Sequence, residues 1–103
     1  MWGQLELEMI DAINKNIPKK QLFDSHAVIA LVAGTTAYKA LDRHYGATNQ
    51  APHQIVNAQI GRRMAKLGTA NSWTRHEKPS GQPWKAASLN INAKISSNAM
   101  WSR

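Results

Sequence analysis

The sequence predicts a mainly α domain with a small β-hairpin, and three observations carry that expectation. Apolar residues recur at helical spacing through the first two-thirds of the chain, as in "VNAQIGRRMAKLG" at residues 56–68. Capping residues and glycines punctuate those stripes at intervals that fit about four helices. After Gly68 the periodicity lapses into two short segments around "KPSGQP", whose proline, serine and glycine are turn formers.

Taken in order, Leu5, Leu7, Met9, Ile10 and Ile13 predict a first amphipathic helix, with Pro18 as its outer limit. Leu22 and Phe23 form an apolar pair that reads as a short strand or as a hydrophobic staple. Asp24 or Ser25 then caps a second helix, "HAVIALVA", because a short side-chain oxygen satisfies one of the free amides of the first turn. That helix pauses at Gly34. Thr35 or Thr36 caps a third, "AYKALDRHY", stopped by Gly46. The turn "ATNQAP" follows, with Pro52 placed as an early residue of the fourth helix.

The fourth helix is expected over residues 53–67. Val56, Ile60, Met64 and Leu67 fall in one narrow stripe, with Gln59, Arg62 and Lys66 roughly opposite and Arg63 on the flank. Gly68 is expected to end it, since glycine tolerates the left-handed conformation in which helices often stop. In the hairpin, Trp73 and Trp84 sit on opposite arms, where both would anchor it to the body if the arms pair. Pro83 points to an edge position, because it cannot donate to a ladder. The remainder, residues 89–103, is rich in Asn and Ser and reads as a loose or partner-docking tail after a domain spanning residues 1–88.

At 103 residues the chain suffices for one modest core. It has no cysteine, which rules out a disulfide framework and a thiolate zinc site and agrees with a reducing compartment. The opening "MWGQLELEMIDAI" is too acidic for a signal peptide, and "AVIALVAG" is too short to cross a bilayer. A soluble cytoplasmic protein with no membrane partner is expected. Charge is unevenly spread: residues 1–42 balance to −1, residues 43–103 to +8, with Glu77 the sole acid of the second part. A basic half on a near-neutral half favours a polyanion such as nucleic acid, with an anionic membrane surface as the other candidate and solubility alone as the plainer reading.

Helices, then a cation-faced helix, then a basic hairpin: that order is the winged helix-turn-helix layout, in which one helix enters a major groove about 12 Å wide and the hairpin, or wing, reaches the adjacent backbone. "IGRRMAKLG", followed by a basic hairpin ending in "PW", resembles the recognition helix and wing of such domains. It is especially similar to those at the carboxyl ends of phage and plasmid primase–helicase proteins, where a Gly-Arg-containing helix ends in Leu-Gly and the wing ends in Trp. The likeness covers residues 53–87 well and residues 20–50 loosely. The chain departs from it in the long spread "NSWTRHEKPSG" before the turn and in its polar tail. The resemblance implies binding to double-stranded DNA through a recognition helix near 53–67 and a wing near 71–87, in transcriptional regulation or DNA replication.

On that expectation the contacts are His53, Gln54, Asn57, Gln59, Arg62, Arg63, Lys66, Arg75, Lys78 and Lys85. Arg62 and Lys66 are one turn apart, where like charges repel unless a phosphate lies between them; the alternative is an ordinary solvated face. Asn57 and Gln59 carry the paired donor and acceptor that read adenine. His53 and Gln54 lie in the first turn, whose free amides attract phosphate. Neutralising about six phosphates would weaken binding roughly a thousandfold between 50 and 200 mM salt. Lysines and arginines on an edge strand also discourage stray pairing, so the wing set has a structural reading as well.

No metal, cofactor or catalytic role is expected. The four histidines are separated by 18, 9 and 23 residues, which matches no finger or metalloprotease spacing. A glycine loop for phosphate is absent, and Asp42 beside Arg43 and His44 lacks a nucleophile or a second placed carboxylate. One such domain buries little surface, which favours a homodimer or a larger assembly through "LELEMIDAI" or the segment around Met100 and Trp101. The competing expectation is a non-enzymatic interaction module, a phage inhibitor or assembly adaptor on a winged scaffold, with Trp73, Trp84 and Trp101 as anchors. The same residues also suit one domain of a longer primase–helicase.

Overall fold

The computed structural model describes residues 1–90 and 94–103; the part of the expected tail at 91–93 lies outside the described residues. Among the described residues four helices come first: α1 (Trp2–Asn16), α2 (Ser25–Val32), α3 (Thr36–Gly46) and α4 (Pro52–Asn71). Four short strands follow: β1 (Thr74–Arg75), β2 (Lys85–Leu89), β3 (Ile95–Ala99) and β4 (Trp101–Ser102). The molecule is mainly helical with a small antiparallel β component, as its patterning predicts.

The helix boundaries follow the local chemistry. Ile17 is extended after α1, the conformation that Pro18 imposes on its predecessor. The Asp24 carboxylate accepts from the Ala27 amide at 3.0 Å to start α2, and the Thr35 hydroxyl accepts from the Tyr38 amide at 3.2 Å to start α3. Pro52 opens α4. The buried residues of each helix repeat every three or four positions: Leu5, Met9 and Ile13 on α1, and Val56, Ile60, Met64 and Leu67 on α4. These stripes meet in one core that also takes in Phe23, Val28, Val32, Tyr38 and Leu41. Leu7 departs from its expected place and stays exposed on α1.

Gly68 does not stop α4. The helix runs to Asn71, and Ser72 takes the left-handed cap at φ 60°, with the Trp73 amide donating back to the Gly68 carbonyl at 2.9 Å. Gly68 is buried within the helix for another reason. A Cβ there would stand 2.6 Å from Cζ3 of Trp101, so the ring occupies the space a side chain would need.

The described part of the loose tail expected over residues 89–103 is instead part of the fold. β4 pairs with β1 on one side, and on the other Trp101 and Phe23 exchange amide-to-carbonyl bonds at 2.8 Å in both directions. Trp101 and Phe23 are both buried, and Trp73 meets the Phe23 ring edge-on at 5.7 Å. Arg103 Nε donates to the Ile17 carbonyl at 2.9 Å, tying the segment to the end of α1. The physical reason is burial: one large aromatic side chain outweighs the polar residues around it.

The hairpin also differs in its pairing. The expected turn is present, with the Lys78 amide bonded to the Gln82 carbonyl at 2.8 Å and Gly81 at φ 85°, and Glu77 bridges Pro83. Its arms then part. β1 joins β4, whereas β2 pairs with β3 in a second ribbon, Lys85 opposite Ala99 through Leu89 opposite Ile95. Trp84 is consequently no anchor and remains 48% exposed; Trp101 anchors in its stead.

Candidate nucleic-acid interface

The cations of α4 divide between two environments. Arg63 donates to Glu6 of α1 at 2.6 Å, and Lys66 reaches both oxygens of the same carboxylate at 3.1 Å. The Arg63 guanidinium also lies 4.2 Å from the centroid of the Trp2 ring. Burial pushes the Glu6 pKa up, but the hydrogen bonds from Arg63 and Lys66 and the charges of both outweigh it, leaving Glu6 below the ordinary carboxylate value. Arg63 and Lys66 thus already share an internal counter-charge, and their first work is to hold α1 against α4.

Arg62 is different. It is exposed and stands between two open depressions on the other flank of α4. One, of about 410 Å³, is lined by Asn49, Gln50, Gln54, Gln59 and Arg62. The next, of about 380 Å³, brings Arg62 together with Arg75 and Asn98 over a floor that includes Gly61 and Ala65. Small residues at these positions let a ligand approach the helix backbone. Arg75 also pairs with Glu77 at 2.9 Å in a largely exposed geometry, a contact that contributes little and is readily exchanged for a phosphate. Lys78 and Lys85 flank a further depression with Gln82 and Pro83.

Asn57 is committed elsewhere. Its Oδ1 accepts from the Tyr38 hydroxyl at 2.7 Å, and burial together with the nearby Asp42 charge raises the Tyr38 pKa, an effect this hydrogen bond partly opposes. Asn57 lines a cavity of about 260 Å³ with Ser25, His26 and Asn98, away from Gln59. His53 is half-buried in the first turn of α4. Of the expected contacts, the structure therefore groups Gln54, Gln59 and Arg62, joins Arg62 to Arg75, and sets Lys78 beside Lys85. Arg63, Lys66 and Asn57 are drawn into contacts within the protein.

A polar clasp that the sequence reading missed positions the β2–β3 ribbon. The Asp24 carboxylate, which caps α2, accepts from the Ser88 hydroxyl. A carboxylate can only accept, so Ser88 offers its lone pairs to His26 Nδ1, 2.6 Å away. That order makes Nδ1 the protonated nitrogen in neutral imidazole and leaves Nε2 to accept from Ser96 at 3.0 Å, with Asn98 alongside. The alternation of Ser88, Ser96 and Asn98 on one ribbon face is the period-two signal that marks an inward polar face.

Among the described residues no helix is long and apolar enough to cross a membrane, and no three His, Asp or Glu side chains gather to hold a metal ion. No family model, curated protein or solved structure matches the chain.

Proposed function

We propose that the chain is a winged-helix-type protein that binds duplex DNA with the Arg62 flank of α4 and the β elements beside it. The supporting observation is that Arg62 and Arg75, from a helix and a strand, line one open depression together with the Asn98 amide. Two arginines lining one depression, only one of them paired with an acid, Glu77, suit phosphate oxygens, which guanidiniums can grip with paired donors. The chain order supports the winged reading: α4 leads straight into β1, and β4 lies between β1 and Phe23. The net charge of +7 adds a favourable field. A cysteine-free chain suits the cytoplasm, where such a protein would act in transcription or replication, alone or as a homodimer. The adaptor reading loses two of its three anchors, since Trp73 and Trp101 are buried in the core.

Because Arg63 and Lys66 are internally paired, the phosphate grip rests on Arg62, Arg75, Lys78 and Lys85. About four contacts give a loss of roughly a hundredfold in affinity between 50 and 200 mM salt. Fluorescence anisotropy with a random duplex checks this. Arg62→Ala and Arg75→Ala are each expected to reduce the slope of log affinity against log salt by about 0.9. Lys66→Ala is expected to leave it unchanged. A slope indifferent to Arg62 and Arg75 ends the proposal.

A further inference from the structure

We propose that the paired side chains of Leu89 and Ile95 on the β2–β3 ribbon form a wedge that kinks duplex DNA, pressing against a base step from the minor groove. The inference rests on the duplex-binding reading above and goes beyond it by assigning an act to a surface that reading leaves idle.

Leu89 and Ile95 are directly opposite each other as the last pair of the ribbon register. They are 61% and 73% exposed, and Ile95 is the most exposed large apolar residue of those described. Strand alternation explains how they come to be outside. Ser88, Ser96 and Asn98 turn toward α2 and its clasp, so Leu89, Ile95 and Ala87 occupy the opposite face with Lys85. Paired side chains on neighbouring strands stand about 5 Å apart, which makes one blunt apolar edge rather than two separate groups.

The charge around this edge selects its partner. Lys85 shares its face and Lys94 adjoins Ile95, while the described part of the ribbon carries no acid. A second copy of this chain presenting the same lysine-flanked edge here would be repelled. Two side chains also fall far below the roughly 800 Å² per partner of a stable protein interface. DNA answers both features, since lysines meet phosphates while an apolar side chain enters an opened base step. Proteins that do this bend the duplex by about 20–90°. The wedge also needs a firm mount, because a floppy arm would be deflected before the bases part. The hydrogen bonds that Ser88 and Ser96 of the inner ribbon face share with Asp24 and His26 supply it.

The test uses a short duplex with a donor and an acceptor dye at its ends. Saturating wild-type protein is expected to raise energy transfer, reporting shortened ends. Leu89→Ser with Ile95→Ser, both at exposed positions, is expected to bind with the same salt slope and without that rise. A second measurement compares an intact duplex with one holding a central two-base mismatch, which is already partly unstacked. Wild type should prefer the mismatch about tenfold or more, and the double variant should not discriminate. Binding without bending, bending retained by the double variant, or equal mismatch preference overturns the wedge while leaving duplex binding intact. Absence of wild-type binding at 50 mM salt overturns both.

Discussion

A glycine inside a helix costs about 1 kcal/mol relative to alanine, so Gly68 in α4 needs a compensating reason. The Trp101 ring is that reason, since it lies where a methyl group would be. Gly68→Ala gains the helix preference but drives a methyl into a rigid, buried indole. Overpacking of this kind costs about 1–3 kcal/mol and wins the comparison. The variant is expected to unfold at lower denaturant concentration than wild type, with an unchanged slope; an equal or higher midpoint would show that the ring shifts freely. The sequence could not distinguish this role from a helix stop. Leu67-Gly68 at the end of an apolar stripe looks the same in both cases, and the deciding residue is far along the chain.

Between elements, the α1–α4 contact has its own pH signature. Glu6 is 14% exposed at the side chain, against 66% for Lys66, so the carboxylate is the sheltered partner of the cluster. Its pKa is lowered on folding, so the unfolded chain takes up the proton first. The stabilising contribution is complete above the ordinary carboxylate pKa and fades as pH falls through the lowered folded value. Glu6→Gln should therefore narrow its stability gap to wild type as pH falls from about 6 to 3 in urea titrations. A gap that is constant across that range refutes the assignment. Helix starts were legible because Asp24, Thr35 and Pro52 act on their own neighbours in sequence. The Glu6 pairing was not, because it joins two helices whose approach no local pattern fixes. Strand pairing is hidden for a related reason: "KPSGQP" announces a turn but not which partners the two arms take beyond it.

At the scale of the molecule, four helices leave an apolar opening that β4 closes. Trp101 packs over Gly68, bonds to Phe23 through the backbone and faces Arg75 in the register. Trp101→Ala removes the largest side chain of that closure and is expected to cost about 3–5 kcal/mol. That is a large part of the 5–15 kcal/mol typical of a folded domain. The single aromatic in a stretch of Asn and Ser was the available clue. Composition pointed to a loose segment, because averaging over fifteen residues hides one that dominates the energetics. Charge is a different case: the sequence shows that α4 carries Arg62, Arg63 and Lys66, but only three-dimensional packing separates Arg62 from the other two, which pair with Glu6.

The bridge between Phe23 and Trp101 also fixes an order of events in time. It joins positions near opposite ends of the sequence, whereas the helices form from neighbours on the microsecond scale. Distant pairings of this sort cost more loop-closure entropy than local ones, which favours their forming late. The helices should thus associate first and the closing strand engage after the rate-limiting barrier. Stopped-flow traces of Trp101→Ala are then expected to show nearly unaltered refolding and much faster unfolding, the mark of a bolt that slides home last.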